Sequence, residues 1–123
     1  MLEREPGRYL ITQRSKNASL PLLWEFPGGK VTEGESDTDA LVRELKERLE
    51  LDVIVAEQTM ATHHVYPSYE VDFRVFLCKL KTPAEPSHAR VNDHRWVTLA
   101  QMGDYQFPGA DARTLEKLLD LDH

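Results

Sequence analysis

The sequence predicts an α/β sandwich, in which helices pack on the faces of a β-sheet. Strand-like segments alternate with two helical segments along the 123 residues, and this alternation favours layered α/β folds over barrels and bundles. Residues 70–80 carry apolar side chains on one face from Val71 to Leu77, and on the other face from Phe76 onward. A strand that is apolar on both faces requires cover on both sides. The length suits one domain with one core, spanning residues 1–123.

The strands are predicted from alternating or β-branched segments. Residues 8–14 place Tyr9 and Ile11 on one face, with Leu10 and Thr12 on the other. Pro27 stops a short extended piece at residues 24–26. Further strands are predicted at residues 52–62, 70–80 and 91–98, a helical turn at residues 99–103, and a closing helix at residues 111–121.

Residues 36–49 form the clearest predicted helix. Ser36, followed three residues later by Asp39, resembles a capping box at the N-terminus. Four apolar residues recur at helical spacing and predict a buried stripe: Leu41, Val42, Leu45 and Leu49. The opposite face carries the charged side chains of Arg43, Glu44 and Glu47.

Charge and composition exclude several classes of function. The net charge is -6, from 21 acidic and 15 basic residues, and without a basic cluster we expect no nucleic acid polymer as a partner. A small nucleotide is compatible with this charge if a metal ion carries the positive charge. The lone Cys78 lies in an apolar run and is expected in the core. No apolar segment at the N-terminus suggests a signal or membrane span, so a cytoplasmic protein is expected.

The charged helix face predicts a cation site. Glu44 and Glu47 lie one turn apart, so their carboxylates converge on one patch. Two neighbouring carboxylates repel each other unless a cation or proton lies between them, and oxygen ligands suit Mg²⁺. Arg43, also one turn from Glu47, could fix its rotamer. For an isolated R-E-x-x-E, a solvated helix face is the better interpretation.

The surrounding residues favour the site over the solvated face. The segment WEFPGGKVTEGESDTDALVRELKERLEL closely resembles the Nudix box, G-x5-E-x7-R-E-U-x-E-E-x-G-U, where U is apolar. The matching positions are Gly29, Glu35, Arg43, Glu44, Leu45, Glu47 and Leu51. The segments YLITQR, THHVYP, RWV and FPGAD extend the resemblance from Arg8 onward and look like the MutT-like branch, the 8-oxo-dGTP diphosphatase-like enzymes.

The resemblance implies an α/β/α sandwich with a mixed sheet and a site for Mg²⁺ or Mn²⁺. The implied metal ligands are Glu44, Glu47 and the carbonyl of Gly29, with catalysis resting on Arg43, Glu44 and Glu47. Glu35 is implied as support for the junction of loop and helix. The implied substrate contacts are Arg14, Phe26 and Asp111, and Asp111 could equally be the N-cap of the last helix.

The sequence departs from the Nudix pattern at several positions. Arg48 stands where the box has a second glutamate, and it could pair with Glu44 and compete with a cation. Glu50 replaces the glycine after the helix, at a cost of about 1 kcal/mol if the left-handed turn is kept. Arg90 replaces a distal glutamate that serves as ligand or base, for which Glu70 and Asp93 are unranked alternatives.

The N-terminus is a further departure. Only seven residues precede Arg8, so the first strand of the family is expected to be missing. Either the start has been lost, or the sheet lacks a strand, or a partner chain supplies one. An unpaired central edge would invite association, and a homodimer is therefore predicted.

Three functions follow from these features. The first is metal-dependent hydrolysis of a nucleoside triphosphate to a monophosphate and pyrophosphate, including removal of oxidised nucleotides such as 8-oxo-dGTP. The second, suggested by Arg48 and Arg90, is a Nudix-fold module that binds a nucleotide without hydrolysing it. The third is hydrolysis of another diphosphate, such as a nucleotide sugar or a dinucleotide.

Overall fold

A computed structural model describes residues 1–17, 21–28, 32–65, 67 and 70–107, without the side chains of residues 59–64 and 70–73. The strands and helices, in chain order, are β1 (Leu2–Glu5), β2 (Arg8–Gln13), β3 (Trp24–Glu25), α1 (Asp37–Leu49), β4 (Val53–Val65), β5 (Glu70–Leu80), β6 (Asp93–Val97) and α2 (Leu99–Met102). The closing helix predicted at residues 111–121 lies outside the described residues. Within the described part, no helix is long and apolar enough to cross a bilayer.

The six strands form one mixed sheet. The strand order is β3-β2-β1-β5-β4, and β6 pairs with β2. Strands β1 and β5 run parallel, whereas every other pair is antiparallel. The predicted strands are thus confirmed, with ends that coincide or differ by at most three residues.

The expectation that the first strand is missing is wrong. β1 lies between β2 and β5 and pairs with both. Its buried Leu2 contributes to the core, while Glu3 forms an ion pair with Lys79 on β5. A strand of only four residues is stable here because β2 and β5 form hydrogen bonds with its backbone N–H and C=O groups on both sides. The unpaired edge that motivated the predicted homodimer is therefore filled within this chain.

Alternation along β2 divides the core between the two faces of the sheet. Leu10 joins a cluster beneath α1 that includes Leu45, Leu49 and Cys78, the last fully buried as expected. Ile11 joins a cluster on the other face, which includes Met102 of α2. α1 packs on one face through Leu41, Leu45 and Leu49 of the predicted stripe, whereas Val42 is 37% exposed, so its predicted burial is wrong. This packing fixes the direction in which the charged face of α1 points.

Both ends of α1 have identifiable caps. The hydroxyl of Ser36 accepts a hydrogen bond from the backbone N–H of Asp39 at 3.1 Å, which is one half of the predicted capping box. At the other end, Glu50 adopts φ 58° and ψ 36°, so the left-handed turn is kept without glycine. The N–H of Glu50 bonds the carbonyl of Lys46 at 3.0 Å, the bond of an αL-type helix end, and the N–H of Leu51 bonds the carbonyl of Leu45 at 3.2 Å.

Candidate active site

Arg43 is the centre of the candidate site. Its guanidinium donates from Nε and Nη2 to the two carboxylate oxygens of Glu35, at 2.7 and 3.0 Å. Its Nη1 lies 3.1 Å from Glu44 Oε1 and 3.1 Å from Glu47 Oε2. One guanidinium thus gathers three carboxylates, because the planar group presents donors in a rigid fork.

Glu35 joins the loop before α1 to the helix. Besides the two bonds from Arg43, its carboxylate accepts hydrogen bonds from the hydroxyl and the backbone N–H of Thr32. These hydrogen bonds, from Arg43 first and then from Thr32, lower the pKa of Glu35 from 4.5 to about 2. The same pairing raises the pKa of Arg43. Both groups therefore stay ionised across the physiological range.

Glu44 and Glu47 differ in exposure. The side chain of Glu44 is 17% exposed and that of Glu47 is 54% exposed. Glu44 lines a pocket with an empty volume of about 240 Å³ between the sheet and α1. The other lining residues are Thr12, Glu25, Pro27, Gly28, Leu45, Arg48, Leu49 and Val91.

Glu25 is a pocket carboxylate for which sequence reasoning assigned no role. It lies on β3 opposite Thr12 of β2, and its side chain is 17% exposed. Arg14 Nη1 approaches its Oε2 at 3.0 Å, and Arg48 Nη2 approaches its Oε1 at 3.9 Å. The position of Glu25 could have been predicted from the alternation of side chains along an extended segment. Its neighbours Trp24 and Phe26 pack in the core cluster on the other face of the sheet.

Arg48 points toward β3. Within the described residues its ion-pair partner is Glu25, and the pairing with Glu44 that its spacing suggested does not occur. Arg48 nevertheless lines the same pocket as Glu44. A guanidinium in this place adds positive charge to the pocket without neutralising Glu44 directly.

The residues predicted to contact the substrate do not form one cluster. Arg14 is engaged with Glu25 at the end of β2. Phe26 stacks on Phe107, with ring centroids 5.4 Å apart and planes inclined by 26°. Asp111, predicted for the base, lies outside the described residues.

The other positions considered as metal ligands lie away from the pocket lining or outside the described part of the chain. Gly29, predicted as a carbonyl ligand, lies outside the described residues, although its neighbour Gly28 lines the pocket. Arg90 is exposed. Asp93 forms an ion pair with Arg95 at 2.6 Å and is not among the pocket residues, while the side chain of Glu70 is not described.

The site offers oxygen donors to a cation and guanidinium groups to phosphates. The described side chains at or beside the pocket comprise four carboxylates and three guanidinium groups. Carboxylates held near one another suit a hard divalent cation, whereas guanidinium groups match the geometry of phosphate oxygens. Such a combination can hold a metal–phosphate complex.

Comparison with known proteins agrees with this geometry. The family model described as NUDIX domain matches residues 1–117. The chain is 31% identical over 123 residues to the 8-oxo-dGTP diphosphatase of Haemophilus influenzae, covering 100% of this chain and 90% of that protein. It is 33% identical over 125 residues to the CTP pyrophosphohydrolase of Escherichia coli, covering 98% of this chain and 88% of that protein.

A solved structure shows the same fold. The solution structure of the MutT protein of methicillin-resistant Staphylococcus aureus 252, described as a Nudix hydrolase, has a TM-score of 0.67 at 30% identity. The match covers 97% of this chain and 93% of that chain. The fold is the Nudix α/β/α sandwich, and the chain belongs to the MutT-like branch of the Nudix family.

Proposed function

We propose that the chain hydrolyses a nucleoside triphosphate to a monophosphate and pyrophosphate, using Mg²⁺ or Mn²⁺. The observation that carries this proposal is the Arg43 cluster, in which one guanidinium holds Glu44 and Glu47 beside a pocket. The names of the relatives favour an oxidised or ordinary nucleotide as substrate, such as 8-oxo-dGTP or CTP. A soluble, cytoplasmic enzyme of the nucleotide pool would fit this activity.

The donor set fits a hard divalent cation. Glu44 and Glu47 each lie 3.1 Å from the same guanidinium nitrogen, so their carboxylates are close to each other and Arg43 offsets only part of their repulsion. These two side chains would hold the metal, with the Gly29 carbonyl as a further proposed ligand. The bound cation supplies charge neutralisation at the phosphates and lowers the pKa of a water molecule.

The chain's own residues position this chemistry. Arg43 fixes the rotamers of Glu44 and Glu47, and Glu35 fixes Arg43 by accepting hydrogen bonds from its Nε and Nη2. Arg43 is therefore a positioning residue. Hydrolysis of phosphates depends mainly on such positioning and on electrostatic stabilisation.

Arg48 provides a second source of positive charge. In the position of a box glutamate, it would replace an anionic ligand with a cation that binds phosphate oxygens directly. Glu25, between Arg14 and Arg48, would hold that guanidinium at the pocket wall. We therefore expect fewer carboxylate ligands for metal, with part of the phosphate charge neutralised by arginine.

The charged lining of the pocket suits phosphates and a metal. Glu25, Glu44 and Arg48 line it, and such groups match a divalent cation and phosphate oxygens. The pocket would thus take the phosphates and the metal. The base would lie beyond it, toward Phe26 and Phe107, with Asp111 proposed as its polar contact.

A nucleotide panel assayed with Mg²⁺ and Mn²⁺ tests the proposal. Turnover is expected for at least one nucleotide, and Glu47→Gln should lower kcat by roughly 100-fold. Glu57→Gln, at an exposed position of β4, is the matched control and should keep full activity. Tight nucleotide binding without turnover in the wild-type protein would favour the alternative, a Nudix-fold binding module, for which Arg48 and Arg90 are the motivating residues.

A further inference from the structure

A second cluster of ligand-type side chains lies outside the pocket. The ring nitrogens of His88 and His94 and a carboxylate oxygen of Asp93 all lie within 4.8 Å of one another. His88 belongs to the connection between β5 and β6, whereas Asp93 and His94 begin β6. None of the three residues lines the pocket beside Glu44.

We propose that His88, Asp93 and His94 form a binding site for a divalent transition-metal ion such as Zn²⁺. Two imidazole nitrogens and one carboxylate oxygen are a typical ligand set for zinc, with a further position open to water. Imidazole ligands also separate this site chemically from the oxygen-only Glu44–Glu47 pair, because Mg²⁺ prefers oxygen donors.

The two imidazoles already face each other through the nitrogens that would bind. His88 Nε2 and His94 Nδ1 lie 2.6 Å apart and share a hydrogen bond, and the ring planes are inclined by 65°. Two nitrogen ligands of a tetrahedral zinc ion lie roughly 3.3 Å apart. A small opening of the pair, with the His88 proton moved to Nδ1 or released, would direct both lone pairs at one ion.

Glu85 fixes His94 in the tautomer that a metal requires. Its Oε2 lies 3.0 Å from His94 Nε2, so a neutral His94 carries its proton on Nε2 and its lone pair on Nδ1. Histidine ligands of metals usually donate their other N–H to such a carboxylate. The geometry of Glu85 is thus independent support for a metal at Nδ1.

Glu85 is itself held in place. Its Oε2 accepts a hydrogen bond from Trp96 Nε1 at 2.9 Å, and its Oε1 pairs with Arg4. Arg4 in turn stacks over the Trp96 ring, with its guanidinium carbon 4.4 Å from the centroid. The carboxylate that orients His94 is therefore anchored on two sides.

The backbone around the cluster is tied down at two points. Ser87 N donates to the carbonyl of Leu49 at the end of α1, and Asn92 N donates to the carbonyl of Gln13 on β2, both at 2.9 Å. Asp93 already accepts from its neighbours His94 and Arg95, so a metal must share this carboxylate with Arg95. His88 is exposed, which gives an ion access from solvent.

Zinc titration of the metal-stripped protein in excess Mg²⁺ tests this site, because Mg²⁺ occupies the oxygen-donor site. We expect the wild type to bind about one zinc equivalent that a His88→Ala/His94→Ala double variant does not bind. A His63→Ala/His64→Ala variant removes the same number of imidazoles and should keep this equivalent. Glu85→Gln should weaken zinc binding by about tenfold.

NMR spectra of the imidazoles give a readout that does not depend on stoichiometry. Zinc should shift the ring nitrogen signals of His88 and His94. Equal zinc binding by the wild type and the His88→Ala/His94→Ala variant would overturn the proposal, as would zinc-induced shifts confined to other histidines. Retained Mg²⁺-dependent hydrolysis in the double variant would show that loss of zinc binding is not loss of the fold.

Discussion

Replacement of Arg43 by lysine tests the positioning role most sharply. Arg43 makes two hydrogen bonds to Glu35 and one each to Glu44 and Glu47. A lysine keeps the positive charge but presents its donors from a single nitrogen, so it cannot hold all three carboxylates at these distances. The carboxylates of Glu44 and Glu47 should then sample several rotamers.

The expected size of the effect follows from this loss of geometry. A displacement of about 1 Å in a catalytic arrangement costs roughly 100-fold in rate, so Arg43→Lys should lower kcat by about that factor. KM should change little, because the charge facing the substrate is retained. Steady-state kinetics on the best nucleotide with Mg²⁺ measures both constants.

A matched substitution controls for general effects. Arg74 on β5 pairs with Asp37 of the same helix through Nη1 at 2.6 Å, away from the Arg43 cluster. Arg74→Lys should keep kcat within about threefold of the wild type. If Arg43→Lys also stays within that range while its circular dichroism is native, Arg43 does not position the catalytic carboxylates.

Three further predictions concern pH, metal affinity and the helix end. Because the pKa of Glu35 is lowered from 4.5 to about 2, its contribution to the free energy of unfolding is full above pH 4.5 and is lost as the pH falls toward 2. Glu35→Gln should therefore flatten acid denaturation curves in that window. An unchanged curve would contradict the pairing of Glu35 with Arg43. Arg48→Glu should raise the affinity for Mn²⁺, measured by electron paramagnetic resonance, whereas an unchanged affinity would show that position 48 does not act on the metal. Glu50→Gly should raise the free energy of unfolding by about 1 kcal/mol, since glycine accepts the left-handed conformation, and Glu50→Ala, which keeps a Cβ, should not.

The helix and its charged face could be predicted from sequence because their signals are local. A period near 3.6 residues separates Leu45 and Leu49 from Glu44 and Glu47, and Ser36 marks the start. The structure agrees with each of these placements. The spacing also predicted contact between Arg43 and Glu47, which lies 3.1 Å away.

Features that depend on long-range pairing could not be predicted in this way. β1 has only four residues, two of them exposed, and shows no apolar alternation. Its pairing with β2 and β5 decides that it forms a strand. Glu25 enters the pocket because β3 aligns it with Thr12. Helical spacing suggested that Arg48 on α1 pairs with Glu44, but in the structure Arg48 pairs with Glu25 of β3.

The histidine cluster shows the same limit. His88 and His94 are separated by a loop whose course is set by hydrogen bonds to α1 and β2. No periodicity in the sequence specifies that course. Glu85 meets His94 and Trp96 only once the loop and β6 are folded together.

Product analysis with Glu44→Gln tests the central claim most directly. The claim is that the carboxylates gathered by Arg43 hold a divalent cation for attack on a nucleoside triphosphate. Incubation of a triphosphate with the wild-type protein and Mg²⁺, followed by phosphorus NMR, should show nucleoside monophosphate and pyrophosphate in equal amounts, with neither formed by Glu44→Gln. Release of nucleoside diphosphate and inorganic phosphate, or equal turnover by Glu44→Gln, would contradict the claim.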